Sequence, residues 1–178
     1  MPVQPPEDAD MDPVFDYCKE RVLIIGCGNP LFGDDGFGPA VITELEGRPG
    51  LEGIYLLDAG TSARNVLFNI MLSEKVPDAI VIIDSIGKGK GPGKVFELGI
   101  DDLSIEKSDD FQFHFVPAGN MLRQIRDEKG VRVIIIACEA VSIPKETMHM
   151  GLSDEVRASV PVAADLALKR ASDILGDR

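Results

Sequence analysis

The sequence predicts a three-layer α/β/α sandwich built on a mostly parallel, mixed, five-stranded twisted sheet. Three observations predict it. Apolar runs such as Val22-Leu23-Ile24-Ile25 and Ala79-Ile80-Val81-Ile82-Ile83 are continuous rather than alternating, which suits strands covered on both faces. Segments of helical periodicity separate these runs, so the order reads β-α-β-α-β. Acids and glycines close the strands, where an open α/β sheet places its ligands.

The first strand is expected over Arg21–Cys27. A helix follows from Gly38 to Glu46, with Ala40, Val41, Ile42 and Leu45 inward, and Gly47, Pro49 and Gly50 end it. The second strand, Gly53–Leu57, closes on Asp58-Ala59-Gly60-Thr61-Ser62. Thr61 or Ser62 can cap the second helix, Ala63–Leu72. The third strand, Ala79–Asp84, stops in a Lys/Gly-rich turn. Lys94–Leu98 reads as a fourth strand. Its link to the third is too short for a helical crossover, so that pair is expected to be antiparallel. After a polar loop over 99–113, a third helix is expected from Pro117 to Lys129 with Gly130 as its stop. The fifth strand is Val131–Cys138. A last helix starts at Ser153 and runs to about Leu175, with a kink or break expected at Pro161.

Residues 1–20 are expected to be a mobile N-terminal extension, since residues 1–16 are rich in proline and acid. Residues 21–178 are expected to form a single α/β domain. At 178 residues and 44% apolar, the chain can bury one sizeable core. A net charge of −12 argues against nucleic acid and against an anionic membrane surface. It favours a cationic partner, a metal ion, or solubility alone. Cys18, Cys27 and Cys138 are odd in number and irregularly spaced, which fits neither a disulfide framework nor a cysteine zinc site. With no secretory leader pattern and no run able to span a bilayer, the expected location is the cytoplasm. Nothing in the sequence demands more than a monomer.

The polar residues point to one edge. The turn Gly26-Cys27-Gly28-Asn29-Pro30 follows the first strand, and Asp34-Asp35 come soon after. Asp58 and Asp84 end the next two strands. Parallel strands bring these ends together. The two histidines, His114 and His149, both lie in long loops. Carboxylates with a neutral imidazole suit a divalent transition metal. A lone strand-end acid more often caps a turn; Asp35, Asp84 and His114 together favour the metal reading. The glycine turn lacks the G-x-G-x-x-G spacing of a dinucleotide site, and its two acids would repel a pyrophosphate. No G-x-S-x-G elbow is present. Cys27 could be a nucleophile, but a small buried residue is its expected role. The turn reads as a close-approach platform for a substrate backbone, and Asp34 as a brace for the turn or a cap for the first helix.

Gly26 to Gly38, GCGNPLFGDDGFG, is similar throughout to the G-x-G-N-x-L-x-x-D-[DE]-G-x-G pattern that opens the hydrogenase maturation endopeptidases. Downstream, DAGTS at 58–62, IIDSI at 82–86, His114 and HMGLSDEV at 149–156 also resemble that family's segments. The likeness spans about residues 21–175. The Gly/Lys/Pro turn after the third strand and the His114–Leu122 run resemble the subgroup serving the deazaflavin-reducing hydrogenase of methanogenic archaea.

The resemblance implies an aspartic-type endopeptidase that removes the C-terminal tail of a nickel-iron hydrogenase large-subunit precursor. It implies a nickel-recognition site of Asp35, Asp84 and His114, the nickel being carried by the substrate rather than permanently bound. Position 35 is Glu in many relatives, one methylene longer. Asp35 is the expected general base, with Asp84 beside it as a catalytic carboxylate. Gly28, Asn29, Asp58, Gly60 and Thr61 are expected to meet the substrate. The alternatives are a nickel-dependent chaperone that docks the same precursor without cutting, and a nucleotide-binding α/β domain.

Overall fold

The computed structural model describes residues 15–103, 119–144 and 146–177. Its elements are β1 (Val22–Cys27), α1 (Phe37–Glu46), β2 (Ile54–Gly60), α2 (Ala63–Leu72), β3 (Ala79–Ile86), β4 (Val95–Leu98), α3 (Gly119–Lys129), β5 (Arg132–Glu139) and α4 (Asp154–Gly176). The five strands form one sheet in the order β2-β1-β3-β5-β4. β1 lies parallel to β2 and β3, β3 lies parallel to β5, and β4 is antiparallel to β5. The sheet is therefore mixed, as expected. The expected partner of β4 is corrected: β4 pairs with β5, because β1 and β5 already occupy both sides of β3.

The continuous apolar runs have the predicted cause. β1 and β3 are buried at every position. One face of the sheet carries Leu23, Ile25, Ile80, Ile82 and Ile135, covered by Leu67 and Ile70 of α2 and by Leu122 and Ile125 of α3. The other carries Val22, Ile24, Val81, Ile83 and Ile136, covered by α1 through Phe37, Val41 and Leu45, and by α4 through Val160, Ala164 and Ala167. Each such large side chain contributes about 1.5–3 kcal/mol by leaving water. The sandwich follows from this two-sided burial.

Two glycines let α1 lie on β1. A Cβ at Gly26 would sit 2.5 Å from Ile42 Cγ1, and one at Gly38 would sit 2.2 Å from the Cys27 carbonyl oxygen. At the end of α3, Gly130 takes φ 71°. Its N–H donates to the Arg126 carbonyl at 3.1 Å and the Val131 N–H to the Ile125 carbonyl at 3.4 Å. The first of these is the bond of a left-handed glycine cap, which ends the helix where the sequence placed its stop.

Two further expectations change. α4 runs unbroken through Pro161. Proline there removes one N–H, but Pro161 and the residue four before it, Arg157, are both exposed, so water can serve the released carbonyl. Within the expected N-terminal extension, residues 15–20 are packed. Cys18 is fully buried, Phe15 and Tyr17 lie against the α2/α3 side of the core, and the Asn69 amide donates to the Tyr17 hydroxyl at 3.0 Å. Residues 1–14 lie outside the described residues. No helix among the described residues is long and apolar enough to cross a membrane.

Candidate active site

Sheet register sets the candidate site. Gly26 lies beside Asp58 on one side and Ile83 on the other. Asp84, one residue further along β3, therefore reaches the carboxyl edge level with Cys27. Strand alternation puts Asp84 and Cys27 on the same face, the one covered by α2 and α3. Asp84 is wholly buried, and one of its oxygens, Oδ1, accepts the Ser85 N–H at 2.9 Å.

Asp35 comes from the connection between β1 and α1. Gly33–Gly36 form a single 3-10 turn that carries Asp34 and Asp35, both buried. The Asp35 carboxylate accepts the Asn29 N–H at 2.9 Å. The Asn29 side chain in turn accepts the Leu31 N–H at 3.0 Å, a local Asx turn. Gly28 has φ 123°, and a Cβ there would fall 1.8 Å from the Asp35 carbonyl oxygen. On the side where a Cβ would stand, the room left by glycine at position 28 is taken by the chain's own backbone.

The second strand end is built differently. Asp58, Thr61 and Ser62 are exposed. The Gly60 N–H donates to Asp58 Oδ1 at 3.0 Å, and the Gly28 N–H donates to the Gly60 carbonyl at 3.0 Å, lacing the two strand ends together. Ser62 occupies the N-cap position of α2, but its hydroxyl makes no cap bond.

Cys27 reports the convergence of the acids. Burial pushes its thiol well above the ordinary range, and the charges of Asp84, Asp58 and Asp35, in falling order, push it further. Three carboxylates from three strand ends therefore act on one thiol. At neutral pH that thiol keeps its proton, so it is a packing group and not a thiolate nucleophile. His114 lies outside the described residues. Among the described residues, no three His, Cys, Asp or Glu side chains are grouped to hold a metal ion. Asp35 and Asp84 supply the oxygen part of the expected donor set.

One polar group at this edge, Glu139, has no counterpart among the residues expected from sequence. Glu139, at the end of β5, is buried and accepts the N–H groups of Lys88 and Gly89, each at 2.8 Å, which shapes the turn after β3. The strand-end-acid rule that found Asp58 and Asp84 applies equally to Glu139. Asp34 does not cap α1. Its carboxylate accepts the N–H groups of Val141, Ser142 and Ser153 and the Ser153 hydroxyl, all from beyond β5. His149 is exposed and forms a parallel bridge with Phe32.

The chain is similar to known proteins over most of its length. The family model of the HycI type, described as hydrogenase maturation protease, matches residues 39–170. That stretch begins beyond the glycine turn, so this match does not rest on the turn. A protein of Methanocaldococcus jannaschii, provisionally named a hydrogenase maturation protease, is 33% identical over 84% of this chain and 96% of its own. Coenzyme F420 hydrogenase subunit delta of Methanothermobacter thermautotrophicus is 28% identical over 83% of this chain and 92% of its own. Among solved structures, the [NiFe] hydrogenase maturation protease HybD from Thermococcus kodakarensis superposes with a TM-score of 0.64 at 32% identity, covering 85% of this chain and 99% of that one.

Proposed function

Because the chain belongs to the hydrogenase maturation protease family, we propose that it removes the C-terminal tail of a nickel-loaded nickel-iron hydrogenase large-subunit precursor. The observation that carries this reading is the placement of two buried carboxylates, Asp35 and Asp84, at neighbouring strand ends of one sheet edge. Anionic oxygens gathered at one edge suit a divalent cation, and a nickel ion brought by the precursor is such a cation. Asp35 and Asp84 would meet it with anionic oxygens and His114 with an imidazole nitrogen.

Asp35 is the assigned general base: water adds to the scissile carbonyl as its proton passes to the carboxylate, and that proton then goes to the leaving amine as the C–N bond breaks. Asp84 is the second carboxylate. Asp58, Gly60 and Thr61 form the solvent-facing side of the cleft where precursor backbone would lie, with Gly28 and Asn29 beneath. The likeness to coenzyme F420 hydrogenase subunit delta supports a deazaflavin-reducing hydrogenase as the one served. The enzyme acts in the cytoplasm as a monomer, on a substrate that is a folded protein.

The test is the mass of a purified, nickel-loaded precursor before and after incubation with the protein. Shortening by a C-terminal tail is expected. A precursor that binds and keeps its mass would instead support the docking chaperone. Casein without metal is expected to stay intact, and its rapid cleavage would overturn the substrate-borne metal. Processing should collapse in His114→Ala; unchanged processing would remove His114 from the site.

A further inference from the structure

The connection from β5 to α4 is held in a way that the metal-facing residues do not explain. Its first residues, Val141 and Ser142, donate their N–H groups to Asp34 Oδ2 at 2.8 and 3.0 Å. Its last residue, Ser153, donates its N–H to Asp34 Oδ1 at 2.7 Å and its hydroxyl to Oδ2 at 3.0 Å. The Asp34 N–H donates back to the Ser142 carbonyl at 3.2 Å. One carboxylate, 1% exposed, thus closes both ends of the loop. The middle is tied to the same turn: the Gly33 N–H donates to the His149 carbonyl at 2.6 Å, and the His149 N–H to the Leu31 carbonyl at 2.9 Å. Met148 and Met150, 72% and 74% exposed, flank that tie and stand beside exposed Leu31.

We propose that Asp34 is the positioning residue for Asp35: it locks the 141–153 loop to the turn that carries Asp35, so that precursor gripped along this loop meets the Asp35 carboxylate at one fixed spacing. This rests on the proposed processing reaction. The two oxygens of a carboxylate can together accept from four donors. An amide offers one oxygen, and its NH2 would face a donor. Because Asp34 and Asp35 share one short turn, loosening of the clasp is transmitted directly to Asp35, and misplacement by about 1 Å can cost on the order of a hundredfold in rate.

The experiment compares the full-length protein with Asp34→Asn on the nickel-loaded precursor, with amide hydrogen exchange on the same samples. The expected result is a fall of at least about tenfold in the rate at saturating precursor, with a smaller change in half-saturation. Exchange should quicken at Val141, Ser142 and Ser153 while the β1 and β3 amides stay protected. A folded Asp34→Asn with the wild-type saturating rate overturns the proposal, as does exchange that quickens evenly through the chain. If Asp34→Asn does not fold, Ser153→Pro decides by the saturating rate and by exchange at Val141 and Ser142. Ser153 has φ −58°, which proline adopts, and the change removes two of the four bonds. A precursor left whole by the wild-type protein overturns the processing reaction itself, and this inference with it.

Discussion

The ends of β1 and β2 carry the same kind of residue and treat it in opposite ways. After β1, Asp34 and Asp35 are 1% and 6% exposed, and the space above the turn's glycines is filled by the chain. After β2, Asp58 and Thr61 stand in solvent, held by one two-residue turn and one bond to Gly28. A buried acid has its position set by the fold and can act on a reacting group with little reorganisation. An exposed acid can follow a partner's surface but contributes little to stability. The first strand end therefore holds its pair of acids fixed, and the second leaves its acid free to adjust.

The most damaging way to break this contrast is Gly38→Ala. The added methyl would meet Cys27 and Ile83 backbone atoms at 2.2 to 2.6 Å. A loss of more than about 4 kcal/mol is expected, read as a collapse of the urea midpoint. Next comes Asp35→Asn, which should keep the fold and lower precursor processing by about 10²–10⁴-fold, measured as single-turnover cleavage. A residual rate near wild type would move the base elsewhere.

Thiol chemistry probes the same closed end of β1 more gently. Cys18, Cys27 and Cys138 are all buried, and burial holds every thiol above its usual range, Cys138 at about 12. Iodoacetamide at pH 8 should leave the folded protein unmodified over a time in which the urea-unfolded chain reacts fully. The pH sign follows from the raised values. The folded thiols hold their protons where the unfolded chain has released them, so their stabilising contribution is whole below about pH 9 and falls as pH rises toward 12. Urea midpoints should decline across that window, less steeply in Cys138→Ala. The smallest effect belongs to the open end: Asp58→Ala should leave stability within about 0.5 kcal/mol while raising the precursor concentration needed for half-maximal rate.

The fold was legible in the sequence because burial on both faces writes itself as uninterrupted Val, Leu and Ile. That signal located β1 and β3 within a residue or two. It does not say which strands are neighbours. The short link after β3 fixed the direction of β4 but not its partner, since β5 enters between them from later in the chain. Pro161 misled because its cost depends on whether the released carbonyl is wet, which is a matter of helix orientation. Tyr17 and Cys18 pack through contacts with α2, invisible to local composition. In the site, Asp35 and Asp84 were legible as strand-end acids. The partners of Asp34 were not, because they stand more than a hundred residues away. Glu139 obeys the rule that finds its neighbours, but it lies one residue past the expected end of its strand at Cys138.

The opposite edge of the sheet has its own logic. There Arg21 pairs with Asp78 at 2.7 Å and donates to the carbonyls of Leu175 and Ile174 at the last turn of α4, while Arg132 reaches Asp177 at 3.2 Å. These latches bind the start of the sheet to the end of the chain, and each lies a full strand length from the acids. Selection can therefore tune heat tolerance at one margin without disturbing the acids at the other, and an engineer seeking a sturdier variant has a place to work away from them.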